Sequence, residues 1–200
     1  MANIDAAFGL RPIGKVGSGG QNMGTTRDNV EEKYGTAIVK GDHLLRSTGY
    51  VIKGTASGAT ILGVFNGCFY IDPTSKKPTY SNYYPGSINV TSAGSISGST
   101  NIDAYIYDDP YMLFEAQCDG TIAKTDIGKN TDTVLTAGST VNGLSKNEID
   151  DSTEATTAGL QVKIIGITKD PENDDASSAN ANWYVMFNEH VKLGTGITGT

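Results

Sequence analysis

The chain has 200 residues, with 15 Lys and Arg against 22 Asp and Glu, and therefore a formal net charge of −7. This length fits one domain, and the acidic balance argues against nucleic acid as a partner, because a phosphate-binding protein needs a basic face. Val, Ile and Thr number 11, 17 and 23 against nine Leu. Since β-branched side chains favour strands over helices, we predict an all-β protein.

The first 30 residues contain six glycines and little hydrophobic periodicity. Such a segment does not build a core of its own, so we predict an extended N-terminal arm over residues 1–30 that lies on another surface. The stretch from Gly14 to Gly24 lacks the lysine ending and the flanking strand and helix of a phosphate-binding loop. The sequence has no basic start followed by an apolar core and no run of 18 apolar residues, so we expect no secretory signal and no membrane partner.

Residues 31–200 are predicted to form a single all-β domain. Short β-rich runs cover residues 36–42, 43–54 and 59–71, and the steps at Gly41 and Asn66-Gly67 are typical of turns. Strand-like runs return at 102–109, 110–120 and 121–128, and the last two strands, 159–170 and 182–193, are joined by a polar hairpin loop. Their predicted core residues are Leu160, Val162, Ile164, Ile167, Trp183, Val185 and Phe187.

Two polar segments interrupt this pattern, and both are predicted to be loop insertions. Residues 73–101 are rich in Ser, Thr, Gly, Asn and Tyr, and residues 128–157 are rich in Thr, Asn and Gly before an acidic stretch. Only 146–150 and 152–154 suggest a helical turn. Charge is also uneven, since residues 1–100 hold nine basic and six acidic groups whereas 101–200 hold six and sixteen.

The sequence assembles no recognisable catalytic, metal or cofactor site. The carboxylate pairs Asp108-Asp109, Asp150-Asp151 and Asp174-Asp175 are interpreted as solvated turn acids. The run from Asp170 to Asp175 offers oxygens to calcium but lacks the spacing of an EF-hand loop.

His43 and His190 do not lie in metal-binding spacing, and Cys68 and Cys118 have no CxxC partner. We therefore expect buried thiols, no metal, no cofactor and no enzymatic activity. The tyrosines Tyr80, Tyr83 and Tyr84 leave a second reading open, a platform that stacks sugars.

Three segments carry a resemblance to a known family. They are the opening Ala7-Phe8-Gly9-Leu10-Arg11-Pro12-Ile13-Gly14, the Gly41-Asp42 step ahead of a hairpin, and Ile61-Leu62-Gly63-Val64-Phe65. Together they resemble the capsid decoration, or cement, proteins of tailed bacteriophages, and are similar in style to the β-tulip head-decoration proteins of lambda-like phages.

The resemblance implies a compact β-barrel or β-tulip-like sandwich, made in the host cytoplasm, that binds the major capsid protein on the outer surface of the virion as a homotrimer. We expect the arm to make that contact through apolar anchors around one forked cation, namely Phe8, Leu10, Arg11, Pro12 and Ile13. The alternatives are a tail-tube, connector or head-fibre component, or a carbohydrate-binding virion module.

Overall fold

The computed structural model describes residues 2–17, 23–55, 58–88, 102–194 and 196–200. Within these ranges the chain forms β-strands and a single 3₁₀ turn at Lys124–Asp126, which confirms the predicted all-β class. The strands are β1 (Arg11–Lys15), β2 (Thr26–Val30), β3 (Ile38–Val39), β4 (His43–Ser47), β5 (Tyr50–Lys53), β6 (Gly63–Ile71), β7 (Pro78–Ser81), β8 (Tyr83–Tyr84), β9 (Ile102–Tyr107), β10 (Met112–Gln117), β11 (Asn130–Thr131), β12 (Thr133–Val134), β13 (Glu148–Ile149), β14 (Val162–Ile167) and β15 (Asn182–Phe187).

Five of these strands close into a barrel. Hydrogen bonding runs from β4 through β5, β2, β9 and β6 and returns to β4, with β7 added outside β6. The predicted β4–β5 hairpin turns at Thr48 and Gly49, which both have positive φ, as a tight two-residue turn requires. The barrel interior is filled by Val30, Ile38, Leu44, Val51, Leu62, Phe65, Cys68, Tyr84, Ile88, Ile102, Ala104 and Ile106.

A second, open antiparallel sheet has the order β1, β10, β15, β14, β11. Trp183, Val185 and Phe187 alternate with half-exposed residues along β15, the period expected of a strand with one buried face. Phe114 packs on Phe187 with ring centroids 4.8 Å apart. Of the predicted core residues, Val162 and Ile164 are also buried, whereas Leu160 and Ile167 are half-buried.

Strand β6 belongs to both hydrophobic cores. Successive residues of a strand point to opposite faces, so Val64 packs into the core of the open sheet and Phe65 into the barrel. Gly63 allows the close approach, since a Cβ there would lie 2.5 Å from the carbonyl oxygen of Tyr107. The two sheets are therefore joined through one continuous strand.

The Asn66-Gly67 step, predicted as a turn, is instead a bulge inside β6. The register with β9 shifts between Phe65 and Gly67, and the Tyr80 ring lies over Gly67. The aromatic ring covers backbone that a glycine leaves bare, which lets the strand continue. Turn-forming residues in this sequence thus also mark a bulge.

The N-terminal segment differs from the predicted extended arm. Residues Arg11–Lys15 form β1, the edge strand of the protein's own open sheet, and Leu10 is only 3% exposed in its core. Before β1, the chain is tied down by side chains: Gln117 accepts from the Ala6 N–H at 2.8 Å and donates to the Ile4 carbonyl at 2.9 Å. Amide side chains and a bulged edge strand hold this segment on the protein, and no continuous apolar face is needed. This is why the segment lacks hydrophobic periodicity.

The two polar insertions are partly structured. Residues 73–88 include β7 and β8, while 89–101 lie outside the described residues. Residues 128–157 include β11, β12 and β13, so the helical turn suggested near 148 is a strand. Asn130 is fully buried and donates to the carbonyls of Thr157 and Ile197 at 2.9 and 2.8 Å. Polar side chains take the place of aliphatic ones here, which is why composition alone predicts a loop.

Candidate binding site at the junction of the two sheets

The residues predicted for the binding arm gather at the junction between the barrel and the open sheet. Leu10 is buried, Phe8, Pro12 and Ile13 are half-buried, and the Arg11 side chain is 56% exposed. Phe8, Leu10, Arg11 and Pro12 border a common pocket, and Ile13 does not. The structure therefore brings most of the predicted set together, although in a folded junction and not in a free arm.

Arg11 is not a free cation. Its Nε and Nη2 lie 3.1 and 2.5 Å from Oε2 of Glu115, directly across from it on β10. The guanidinium carbon also sits 4.4 Å from the centre of the Phe8 ring, a cation–π distance. Arg11 and Phe8 thus contact each other in one wall of the pocket.

The pocket itself is small and mostly apolar, with a volume of about 130 Å³. Val64 and Phe65 contribute from β6, and Leu144, which is partly exposed, stands at the rim. The lining residues are Phe8, Leu10, Arg11, Pro12, Lys40, Gly41, Val64, Phe65, Tyr107 and Leu144. An apolar concavity of this size is a candidate site for one side chain or a very small ligand.

Backbone hydrogen bonds fix the pocket floor. The Leu10 N–H donates to the Gly41 carbonyl, Gly41 to Phe65, and Phe65 to Asp42, each at 2.9 Å. Gly9 and Gly41 have positive φ, which glycine adopts at little cost. A Cβ on Gly9 would also lie 2.5 Å from Ser145 Cβ. The three segments that carry the family resemblance therefore meet at one place in the fold.

A buried carboxylate holds this junction together. Asp42 has no exposed surface and accepts hydrogen bonds from Ser145 Oγ at 2.7 Å, Asn147 Nδ2 at 3.2 Å and the Val39 N–H at 3.0 Å. Lys53 Nζ lies 3.1 Å away and supplies the counter-charge. Because a buried charge is stable only when paired and hydrogen-bonded, this network fixes the loop that carries Lys40 and Gly41.

Both histidines are buried and hydrogen-bonded within the fold. His190 Nδ1 accepts from the Lys192 N–H at 3.1 Å, so Nε2 carries the proton and donates to the Leu62 carbonyl at 3.0 Å. His43 is fully buried, with Nε2 3.3 Å from the Thr55 carbonyl. Burial lowers the pKa of both rings, which are therefore neutral structural groups at pH 7.

The cysteines are buried, as predicted. Burial raises the pKa of both Cys68 and Cys118 to about 12. Since the thiolate is the reactive form, neither sulfur is an activated nucleophile at neutral pH.

The acidic pairs have separate environments. Asp108 and Asp109 pair with Lys192 and Lys15, respectively. Asp150 and Asp151 lie with Asp119, and oxygen atoms of the three carboxylates fall within 4.8 Å of one another. The grouping with Asp119 was not predicted, because a turn 30 residues away in sequence brings it in.

The pKa is raised for one member of this acidic cluster, Asp119, and for its neighbour Glu148. Burial, with the carboxylates of Asp119 and Asp5, raises the pKa of Glu148 to about 7. The pKa of Asp119 is raised as well, by burial and by the charges of Asp151 and Asp150. The cluster is thus a concentration of like charge at one end of the open sheet.

The loop considered as a calcium site has another role. Asp170 and Asp175 accept hydrogen bonds from N–H groups of their own loop, while Asn173 donates to the Ile4 carbonyl at 2.8 Å. Asn3 in turn donates to the Asp175 and Ala179 carbonyls at 2.9 and 2.8 Å. The loop serves as an anchor for the N-terminal segment.

The three tyrosines do not form one platform. Tyr84 is fully buried, and its hydroxyl donates to the Tyr34 carbonyl at 2.8 Å, whereas Tyr80 is 59% exposed. On the outer face of the barrel, Tyr80 instead meets Tyr105, with ring centroids 5.9 Å apart, and is paired with the exposed Phe69. Within the described residues, Phe69, Tyr80 and Tyr105 therefore form an aromatic patch.

No family model matches the chain, and neither the curated proteins nor the solved structures contain a significant match to it. Within the described ranges, no helix has the length and apolar character needed to cross a membrane. Over the described residues, fold and site define an all-β protein with two main sheets and an apolar pocket at their junction.

Proposed function

We propose that this chain is a non-enzymatic capsid decoration protein, which binds the outer surface of a tailed-phage head as a homotrimer and stabilises the shell against internal DNA pressure. The observation that supports it is the meeting of the three resemblance segments, from residues 7–14, 41–42 and 61–65, through the backbone hydrogen bonds of Leu10, Gly41 and Phe65. Segments this far apart in sequence are expected to form one structural unit if the resemblance reflects a shared fold.

The placement of the candidate chemical groups agrees with a binding role. Both histidines have hydrogen-bonded rings and a lowered pKa, and both thiols are buried with a raised pKa. Under this proposal the protein acts through contacts of its surface with a partner and not through catalysis. A protein that binds only the assembled shell stabilises that state by mass action, by about 2.7 kcal/mol per site at a concentration 100 times the Kd.

Charge distribution suggests an orientation on the shell. Residues 26–107, which build the barrel, carry seven basic and six acidic groups, whereas residues 108–200 carry six basic and fifteen acidic groups. Strongly acidic faces of neighbouring copies repel one another when they are packed closely against a surface. The acidic sheet would face solvent, and the nearly neutral barrel with the junction would face the shell.

Co-sedimentation tests this proposal directly. Purified protein is mixed with mature, undecorated capsids of the phage that encodes it, pelleted, and imaged by electron microscopy. We expect regular density over capsomer junctions with threefold symmetry. Protein that stays in the supernatant, as rings or tubes, would overturn the proposal in favour of a tail-tube or connector component.

The aromatic patch favours a second candidate, a carbohydrate-binding module. Exposed tyrosine faces stack on sugars, and the ion pair of Arg27 with Asp103 at 3.5 Å lies on the neighbouring strands and offers hydrogen bonds to hydroxyls. On a glycan array, Tyr80→Ala should abolish binding while Tyr111→Ala, at another exposed tyrosine, should not. An array without signal for the natural chain removes this candidate.

A further inference from the structure

The pocket at the junction of the sheets has the dimensions of a socket for one side chain. Its volume of about 130 Å³ compares with the ~150 Å³ of an engineered apolar cavity that binds benzene. Leu10 and Val64 are buried in its wall, and the partly exposed Leu144 marks the side that opens to solvent. An apolar side chain entering from outside would therefore be removed from water.

The mouth of the pocket carries a net positive charge. Two cations line it, Arg11 and Lys40. Glu115 already neutralises Arg11, whereas exposed Lys40 has no ion pair within the described part of the chain. The backbone of Lys40 is fixed, since its N–H donates to Gly143 and its carbonyl accepts from Ser145, both at 2.9 Å.

We propose that this socket binds a segment of a partner protein in which an apolar side chain stands next to a carboxylate. The apolar group fills the space bordered by Leu10, Val64 and Leu144, and the carboxylate pairs with Lys40. The inference deepens the proposed function, on which its choice of partner rests: the segment belongs to the shell protein. The direction of insertion is then the reverse of the one predicted for the arm. The shell protein inserts a side chain into this protein, whereas the arm was expected to place its own side chains on the shell.

Three short peptides separate the two parts of the recognition. The probes are acetyl-Gly-Leu-Asp-Gly-amide, the same peptide with Lys in place of Asp, and the same peptide with Ala in place of Leu. Each is titrated into the full-length ¹⁵N-labelled protein, and the amide shifts of Gly41 and Leu144 are followed by NMR. We expect the Leu-Asp peptide to bind most tightly, the Leu-Lys peptide about two- to fivefold more weakly, as for an exposed ion pair, and the Ala-Asp peptide not to saturate.

A charge reversal provides the sharpest variant. Lys40→Glu should invert the preference, so that the Leu-Lys peptide binds more tightly than the Leu-Asp peptide. Lys146→Glu is the matched control, because Lys146 is also exposed and does not line the pocket, and it should leave the order unchanged. Both changes are at exposed side chains, and unchanged thermal midpoints will show that the fold is kept.

The results separate this inference from the function it rests on. Equal binding of all three peptides, shifts away from the pocket, or an unchanged order in Lys40→Glu would overturn the socket, even if the protein decorates capsids. Capsid binding that is lost in Lys40→Glu but retained in Lys146→Glu would support it. Selective peptide binding without any capsid binding would keep the socket, refute the shell protein as its partner and reject the decoration function.

Discussion

Leu10 tests whether the N-terminal segment belongs to the folded body. The residue is 3% exposed and packs in the same core as Trp183. Leu10→Ala deletes about three buried carbons at ~0.8 kcal/mol each and enlarges an existing void, which predicts a loss of about 2–3 kcal/mol of unfolding free energy. The value lies in the lower part of the usual range because one side of Leu10 already faces the pocket.

Urea unfolding followed by tryptophan fluorescence measures this loss. Trp183 is the only tryptophan of the chain and is fully buried, so its emission reports on the core that contains Leu10. With a slope of roughly 2 kcal/mol per M, the midpoint should fall by about 1–1.5 M.

Ile4→Ala is the matched control, since Ile4 is in the same segment but 50% exposed, and it should change the free energy by less than about 0.5 kcal/mol. Equal midpoints for Leu10→Ala and the natural chain would refute the reasoning and restore a detached arm.

Three further predictions follow from packing and titration. A Cβ on Gly54 would collide with the buried ring of His43, so Gly54→Ala should lower the thermal midpoint by the equivalent of about 1–3 kcal/mol. A Cβ on Gly166 would point into open space, so Gly166→Ala should be neutral or slightly stabilising. Similar thermal midpoints for the two variants would contradict this prediction.

The pKa of Glu148 is raised from 4.5 to about 7. The stability that its protonated carboxyl gives the folded protein is therefore fully present below pH 4.5 and is lost as the pH rises through 7. Glu148→Gln should therefore stabilise the protein more at pH 8 than at pH 5.5, and an equal difference at both pH values would refute the assignment. Because a thiol with a pKa of about 12 is ionised only to the order of 10⁻⁴ at pH 8, both cysteines should react with Ellman's reagent only after unfolding, and rapid reaction of the native protein would show that they are accessible.

Strand periodicity predicted the parts of this fold that bury aliphatic side chains. The runs around Val64, Phe114 and Trp183 alternate apolar and polar residues or are continuously apolar, and each is a strand of a buried sheet. The signal works because one face of a strand must be removed from water, and this fixes a period of two.

The candidate site was only partly predictable. Phe8, Leu10, Arg11 and Pro12 were selected as anchors, and they do line one pocket. Their partners Lys40 and Leu144 form an isolated β-bridge with each other across more than 100 residues of sequence, and local sequence patterns do not predict such a pairing. The pocket also depends on the amide of Gln117, which donates to the distant Ile4 carbonyl, and on the carboxylate of Asp42, which accepts from the distant side chains of Ser145 and Asn147. Such bonds leave no periodic trace in a sequence.

The sharing of β6 between the two cores has a mechanical consequence. Val64 and Phe65 are neighbours on one strand, yet each is locked into a different core. A force that pulls the two sheets apart therefore loads β6, and with it the five residue pairs that join β6 to β9. Strands that slide past each other break many hydrogen bonds at once, while strands that peel open break them singly. Where such a force slides β6 along β9, these five pairs should consequently resist it together.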